Sequence, residues 1–168
     1  WNKDITFEEE NPNYIFFIYK DINIAKFITP TLEAYDNPQF WECISENPRV
    51  ILDVAHNEHG ITALLDQLAT LHFHKLHIIT GMVKDKAIKA VLSLLPKDAQ
   101  YYFTQSHIPR ALDKADLADK AIKLGLHGQV FEHVNEALNS AKSIANSKDL
   151  ILVMGSVFLV AEVKIDKN

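Results

Sequence analysis

A single cysteine, Cys43, occurs in 168 residues, which excludes an internal disulfide framework and fits a reducing compartment. Its expected role is that of a small packing residue. Only five glycines are present. No Gly-x-x-x-x-Gly-Lys-Ser/Thr run occurs, so the backbone cradle and lysine that hold ATP phosphates in phosphate-loop enzymes are missing. No apolar stretch approaches the roughly 20 residues that a membrane-spanning helix needs, and Trp1-Asn2-Lys3-Asp4 does not begin a signal peptide. Positive charge is also in short supply: 17 Lys and Arg face 22 Asp and Glu, and the net charge of −5 gives no general attraction to nucleic acid. The expected setting is the cytoplasm, the expected state a monomer, with neither nucleic acid nor membrane as partner.

What is present is ordinary globular material, 48% apolar and 23% charged, enough for one domain with a sizeable core. An opening tryptophan in place of methionine implies a piece of a longer polypeptide. From residue 48 onward, short apolar runs alternate with helix-period segments, the pattern of βα units around a mostly parallel sheet. Strands are expected at 50–52, 76–80, 100–103, 130–133 and 150–154, and helices at 61–71, 85–95, 112–124 and 135–145. Residues 1–47 read differently. Thr6-Phe7-Glu8 and the run from 14 to 19, separated by Asn11-Pro12-Asn13, predict a β-hairpin in an N-terminal extension.

The most informative segment is Asp53-Val54-Ala55-His56-Asn57, at the end of the apolar run Val50-Ile51-Leu52 and ahead of Gly60. In open α/β sheets ligands collect at the carboxyl ends of strands. A carboxylate that ends a buried strand is costly unless it is paired, hydrogen-bonded or solvated in a cleft, so Asp53 demands a polar partner. It serves either a ligand or an Asx turn or helix cap. His56 is a candidate phosphate donor or positioning group, against the alternative of a surface loop histidine. Asn57 both donates and accepts, and is a candidate for orienting Asp53 or holding a nucleotide hydroxyl, with a plain turn role as the alternative.

Lys84 and Asp85 follow Gly81 at the next strand end. Lys84 would neutralise phosphate or carboxylate charge, or else sit at a solvated helix start. Arg110 after Pro109 would grip a carboxylate or decorate a turn. Gly155-Ser156 offers N–H groups and a hydroxyl to an anion, or makes a tight strand-to-helix turn. His72, His74 and His77 straddle a helix end and a strand start with no cysteine nearby; they are read as solvated residues, not as a zinc site.

These segments resemble, in order, signatures of the C-terminal domain of folylpolyglutamate and dihydrofolate synthases, ATP-dependent ligases of the Mur ligase superfamily. Asp53-Val54-Ala55-His56-Asn57 is similar to their Asp-Gly-Ala-His-Asn motif, with Val54 in place of glycine. The stretch Thr80-Gly81-Met82-Val83-Lys84-Asp85-Lys86, the Pro109-Arg110-Ala111 turn and the closing segment from Met154 to Glu162 extend the likeness over residues 48–165.

The resemblance implies an α/β fold, a Rossmann-like and mostly parallel sheet flanked by helices, with a further helix at 157–163. It implies a Mur-ligase-type C-terminal domain at 48–168, with 1–47 as an extension or a remnant of the preceding ATPase domain. The implied reaction joins L-glutamate to a folate or pteroate carboxylate, which ATP first converts to an acyl phosphate. Asp53 and Asn57 would contact ATP, His56 would act in the active site, and Lys84, Arg110 and Ser156 would meet substrate. Mg²⁺ would sit mainly on the ATPase domain of the same polypeptide, and the chain alone is expected to be inactive because it lacks a phosphate loop. Two departures stand out: Asn37-Pro38-Gln39-Phe40-Trp41 lacks the arginine of a Pro-Gly-Arg element, and Met154 replaces the threonine of Thr-Gly-Ser. A Mur-type ligase acting on a cell-wall precursor and a non-catalytic binding domain are the competing readings.

Overall fold

The structure, a computed structural model, describes residues 5–8, 16–19, 22–23, 41–84 and 87–165. The expected hairpin is present: β1 (Ile5–Glu8) pairs antiparallel with β2 (Phe16–Tyr19), with Phe7 opposite Phe17, and β3 (Ile22–Asn23) adds to β2. The segment 37–40, where the Pro-Gly-Arg element was sought, and Asp85 and Lys86 lie outside the described residues.

The main sheet contains β4 (Trp41–Glu46), β5 (Arg49–Asp53), β6 (Leu76–Thr80), β7 (Gln100–Phe103), β8 (Gly128–Val130) and β9 (Leu150–Met154), in the order β4-β5-β9-β6-β7-β8. All neighbours are parallel except β4, which returns antiparallel along β5 with a register shift between Cys43 and Ser45. The α/β class and the mostly parallel sheet are therefore as the sequence pattern requires. β9 runs parallel between β5 and β6, and the antiparallel member is the edge strand β4.

The strands alternate side chains between two faces, as their two-residue period demands. Ile51, Ile78, Tyr101, Phe103, Leu150 and Leu152 face one core with the buried sides of α1 (Glu58–Leu68), α2 (Ile88–Leu94) and α3 (Lys114–Ile122). Val50, Leu52, Ile79, Tyr102, Ile151 and Val153 face the other, with α4 (Val134–Ile144) and α5 (Val157–Ala161). Burial on both faces explains why these strands read as continuous apolar runs.

Three expectations are corrected. The strand expected at 130–133 is Gly128–Val130: the Phe131 N–H makes a last bond to the Phe103 carbonyl at 2.9 Å, and His133 already stands at the N-cap position of α4. Cys43 is exposed rather than packed; the slight desolvation that remains and the neighbouring Glu46 push its thiol pKa up, away from a reactive thiolate. His77, read as solvated, is 2% exposed, with Nδ1 3.0 Å from the Tyr102 hydroxyl. Among the described residues no helix is long and apolar enough to cross a membrane.

Candidate functional site at the carboxyl edge

Four strand ends build one edge. β5 delivers Asp53, which is 3% exposed and accepts a 2.6 Å hydrogen bond from the Ala55 N–H. This is the Asx-type turn foreseen as the alternative role. Burial pushes the Asp53 carboxyl pKa up to about 6, although the Ala55 N–H pulls it partly back. The next residues are ordered by their own short bonds. His56 is exposed, and its Nδ1 lies 2.9 Å from the Val54 carbonyl. A carbonyl only accepts, so Nδ1 carries the hydrogen and Nε2 is left to meet a ligand, as acceptor when neutral and as donor when protonated. Asn57 caps α1, its Oδ1 accepting the Gly60 N–H at 2.8 Å. Val54, where the resembled family has glycine, is half-buried against the second core, so the turn is held by packing.

The Asp53 turn is pinned to the end of β9, where the Gly155 N–H donates to the Ala55 carbonyl at 3.0 Å. Gly155 has φ +110, and a Cβ there would stand 2.7 Å from Thr80 Oγ1 and 2.8 Å from the Gly81 carbonyl. Only glycine fits this crossing without strain. Gly81 is equally constrained, since its own Cβ would meet the Thr104 carbonyl at 2.8 Å. Ser156 is buried and caps α5, its hydroxyl accepting the Phe158 N–H at 3.2 Å.

Lys84 and Arg110 are brought together by backbone. The Lys84 N–H donates to the Arg110 carbonyl at 2.9 Å, the Leu112 N–H to the Met82 carbonyl at 2.8 Å, and Val83 bridges Ala111. Both side chains are exposed. Two cationic residues are thus backbone neighbours on the loops that follow β6 and β7. Their connection to the Asp53 turn runs through Gly81, Gly155 and Ala55.

The sequence reading missed two hydroxyls. Thr80 Oγ1 and Thr104 Oγ1 are buried at the ends of β6 and β7 without a hydrogen-bond partner. A threonine at the end of an apolar strand was the available signal. A cavity of about 100 Å³ lies at the opposite, amino edge, lined by residues such as Arg49, Phe73 and Lys148. It is well below the roughly 300 Å³ of a small-molecule pocket and holds none of the candidate residues. Among the described residues no group of three or more His, Cys, Asp or Glu is placed to hold a metal. Asp53, with one inward-facing carboxylate, does not make a divalent-cation site by itself.

Comparison with known proteins identifies the family to which this fold belongs. Residues 41–157 match the family model described as Mur ligase, glutamate ligase domain, so the match begins with β4. The dihydrofolate synthase/folylpolyglutamate synthase of Buchnera aphidicola (subspecies Schizaphis graminum) is 26% identical over 88% of this chain, and that of Escherichia coli K12 is 33% identical over 75%. The chain spans 35% and 29% of their respective lengths. A Mycobacterium tuberculosis folylpolyglutamate synthase complexed with ADP superposes with a TM-score of 0.66 at 27% identity, covering 71% of this chain and 30% of the other. The chain belongs to the glutamate ligase domain family of the Mur ligases.

Proposed function

We propose that the chain is the C-terminal domain of an ATP-dependent ligase that adds L-glutamate to folate or dihydropteroate in the cytoplasm, acting as a monomer. A carboxylate is a poor electrophile until its oxygen becomes a phosphate leaving group, so the reaction passes through an acyl phosphate that the glutamate amine attacks. ATP supplies that phosphate, and the ATPase domain of the same polypeptide would provide the phosphate loop and most of the Mg²⁺ ligands. This domain closes over the nucleotide. Asp53 meets nucleotide from its own side, and Asn57 combines helix capping with a nucleotide contact through its amide nitrogen. His56 presents Nε2 to the reacting groups. Lys84 and Arg110 neutralise glutamate carboxylates, and Ser156 borders the same edge.

The observation that carries this reading is the bond between Gly155 and Ala55, which joins the Asp53-to-Asn57 turn to the β9 end at one edge. Because β5 and β9 are parallel neighbours, their carboxyl ends and the turns that follow them share one edge. A shallow edge in the domain alone is compatible with a site completed by its neighbour.

The test is glutamate-dependent ADP release with ATP, Mg²⁺ and dihydropteroate or a folate, measured for the ligase containing this chain and for the chain alone. Turnover is expected only from the whole ligase. Turnover by the purified chain would overturn the division of labour. Turnover only with a cell-wall precursor would assign the Mur-type alternative, and none with any acceptor would leave a binding domain.

A further inference from the structure

Glu162, directly after α5, is engaged on more sides than a helix-end carboxylate requires. Its Oε1 accepts the His107 N–H at 2.6 Å and its Oε2 lies 2.7 Å from His107 Nδ1, so both oxygens grip one residue 55 positions away. The Glu162 side chain is 16% exposed and that of His107 45%, so the carboxylate is largely enclosed while the imidazole stays open to water. Its backbone is fixed as well. The Glu162 carbonyl accepts Asn135 Nδ2 at 2.8 Å, and Asn135 Oδ1 accepts the Lys164 N–H at 2.8 Å, which ties the end of α5 to the first turn of α4. The ring of His107 stacks on His133 with centroids 4.7 Å apart.

His107 lies in the loop after β7, three residues before Arg110. Within that loop the Ala111 N–H donates to the Ile108 carbonyl at 3.0 Å, and the Arg110 carbonyl holds the Lys84 N–H. A chain of bonds therefore runs from α4 through Glu162 to His107, along the loop to Arg110, and across to Lys84.

We propose that Glu162 is a positioning residue for the acidic amino-acid substrate: by clamping His107 it sets the loop that carries Arg110 and, through the Arg110 carbonyl, the backbone of Lys84. The inference rests on the reading of Lys84 and Arg110 as the cations that receive the carboxylates of that substrate. Two charges on adjoining loops recognise a dicarboxylate only if their spacing is fixed, and displacement by about 1 Å is enough to cost a large factor in rate or affinity.

Two measurements on Glu162→Ala and Glu162→Gln test it. In this chain, Glu162→Ala should speed amide exchange of both His107 and Lys84 about tenfold or more, with the amides of β5 and β9 unchanged. Glu162→Gln keeps an oxygen for the His107 N–H and should restore most of the protection. An unaltered Lys84 amide in Glu162→Ala would overturn the coupling, whatever the catalytic result. In the whole ligase, Glu162→Ala should raise KM for glutamate about tenfold with KM for ATP unchanged, and Glu162→Gln should recover part of the difference. A fall in kcat alone, or equal rises in both KM values, would overturn the positioning role. A wild-type ligase that makes no use of glutamate would instead defeat the reading of Lys84 and Arg110, so the control separates the two failures.

Discussion

Asp53 sits in a nearly dry position, and burial raises its carboxyl pKa from 3.8 to about 6 against the opposing pull of the Ala55 N–H. The folded state therefore holds the proton more tightly than the unfolded chain, and stability falls as pH climbs through that window. Above it the ionised group costs a constant amount, at most about 3 kcal/mol. Asp53→Asn keeps the acceptor for Ala55 and removes the charge. It should stabilise the chain at pH 7.5, lose that advantage below about pH 4, and reduce activity in the whole ligase. Urea denaturation at the two pH values checks the first part and kinetics the second; equal stability at pH 7.5 would contradict a desolvated carboxylate. That Asp53 needs a polar partner was legible in the sequence, because a charge after Val50-Ile51-Leu52 has few places to go. That His77 is buried was not legible, because a histidine that follows two others at the start of a strand carries no sign of which face it takes.

At the scale of elements, burial decided what could be read. β5, β6, β7 and β9 carry apolar runs and were placed within a residue or two. β8 is exposed along its whole length and so has no hydrophobic signature, and its expected position slipped toward Phe131. β4 lies on the sheet edge with half-buried and exposed positions, and its mixed Glu42-Cys43-Ile44-Ser45 sequence gave no clean alternation. Helix α1 starts three residues earlier than its apolar period implies, because Asn57 supplies the cap and Glu58 suits the positive end of the helix. Asn57 thus has a structural duty beside its proposed ligand contact, and substitutions separate them. Asn57→Ala should cost about 1 kcal/mol of stability through the lost cap. Asn57→Ser should retain most of that stability, since serine caps comparably, while KM for ATP in the whole ligase rises in both. Normal KM for ATP in a stable Asn57→Ser variant would confine the residue to capping.

For the molecule as a whole, acid response is a contest between groups of opposite sign. His77 on β6 faces the Tyr102 hydroxyl from β7 and the Asp149 carboxylate ahead of β9, while α4 presents Val134, Ala137, Leu138 and Ala141 to that core. Burial lowers the His77 pKa below its usual 6.5, with Asp149 pulling it partly back and Lys75 adding to the lowering. The unfolded chain then takes the proton first, so the His77 contribution is fully present above pH 6.5 and is lost as pH falls from there through the folded value. Asp53 acts in reverse between about 6 and 3.8. For Asp149, burial raises the pKa but the Asn146 N–H, the His77 charge and the Lys75 N–H outweigh it, so the net pKa is lowered and its contribution is lost only in stronger acid. Denaturation midpoints of the wild type, Asp53→Asn and His77→Gln between pH 4 and 8 resolve the contest. The stability of Asp53→Asn relative to wild type should grow as pH rises. That of His77→Gln should grow as pH falls below 6.5, because glutamine preserves a polar partner for Tyr102 without a proton to gain. A His77→Gln profile parallel to the wild type across that range would show that the imidazole charges as easily inside the sheet as in water, and the buried His77-Tyr102-Asp149 arrangement would then have no part in the acid lability of the fold.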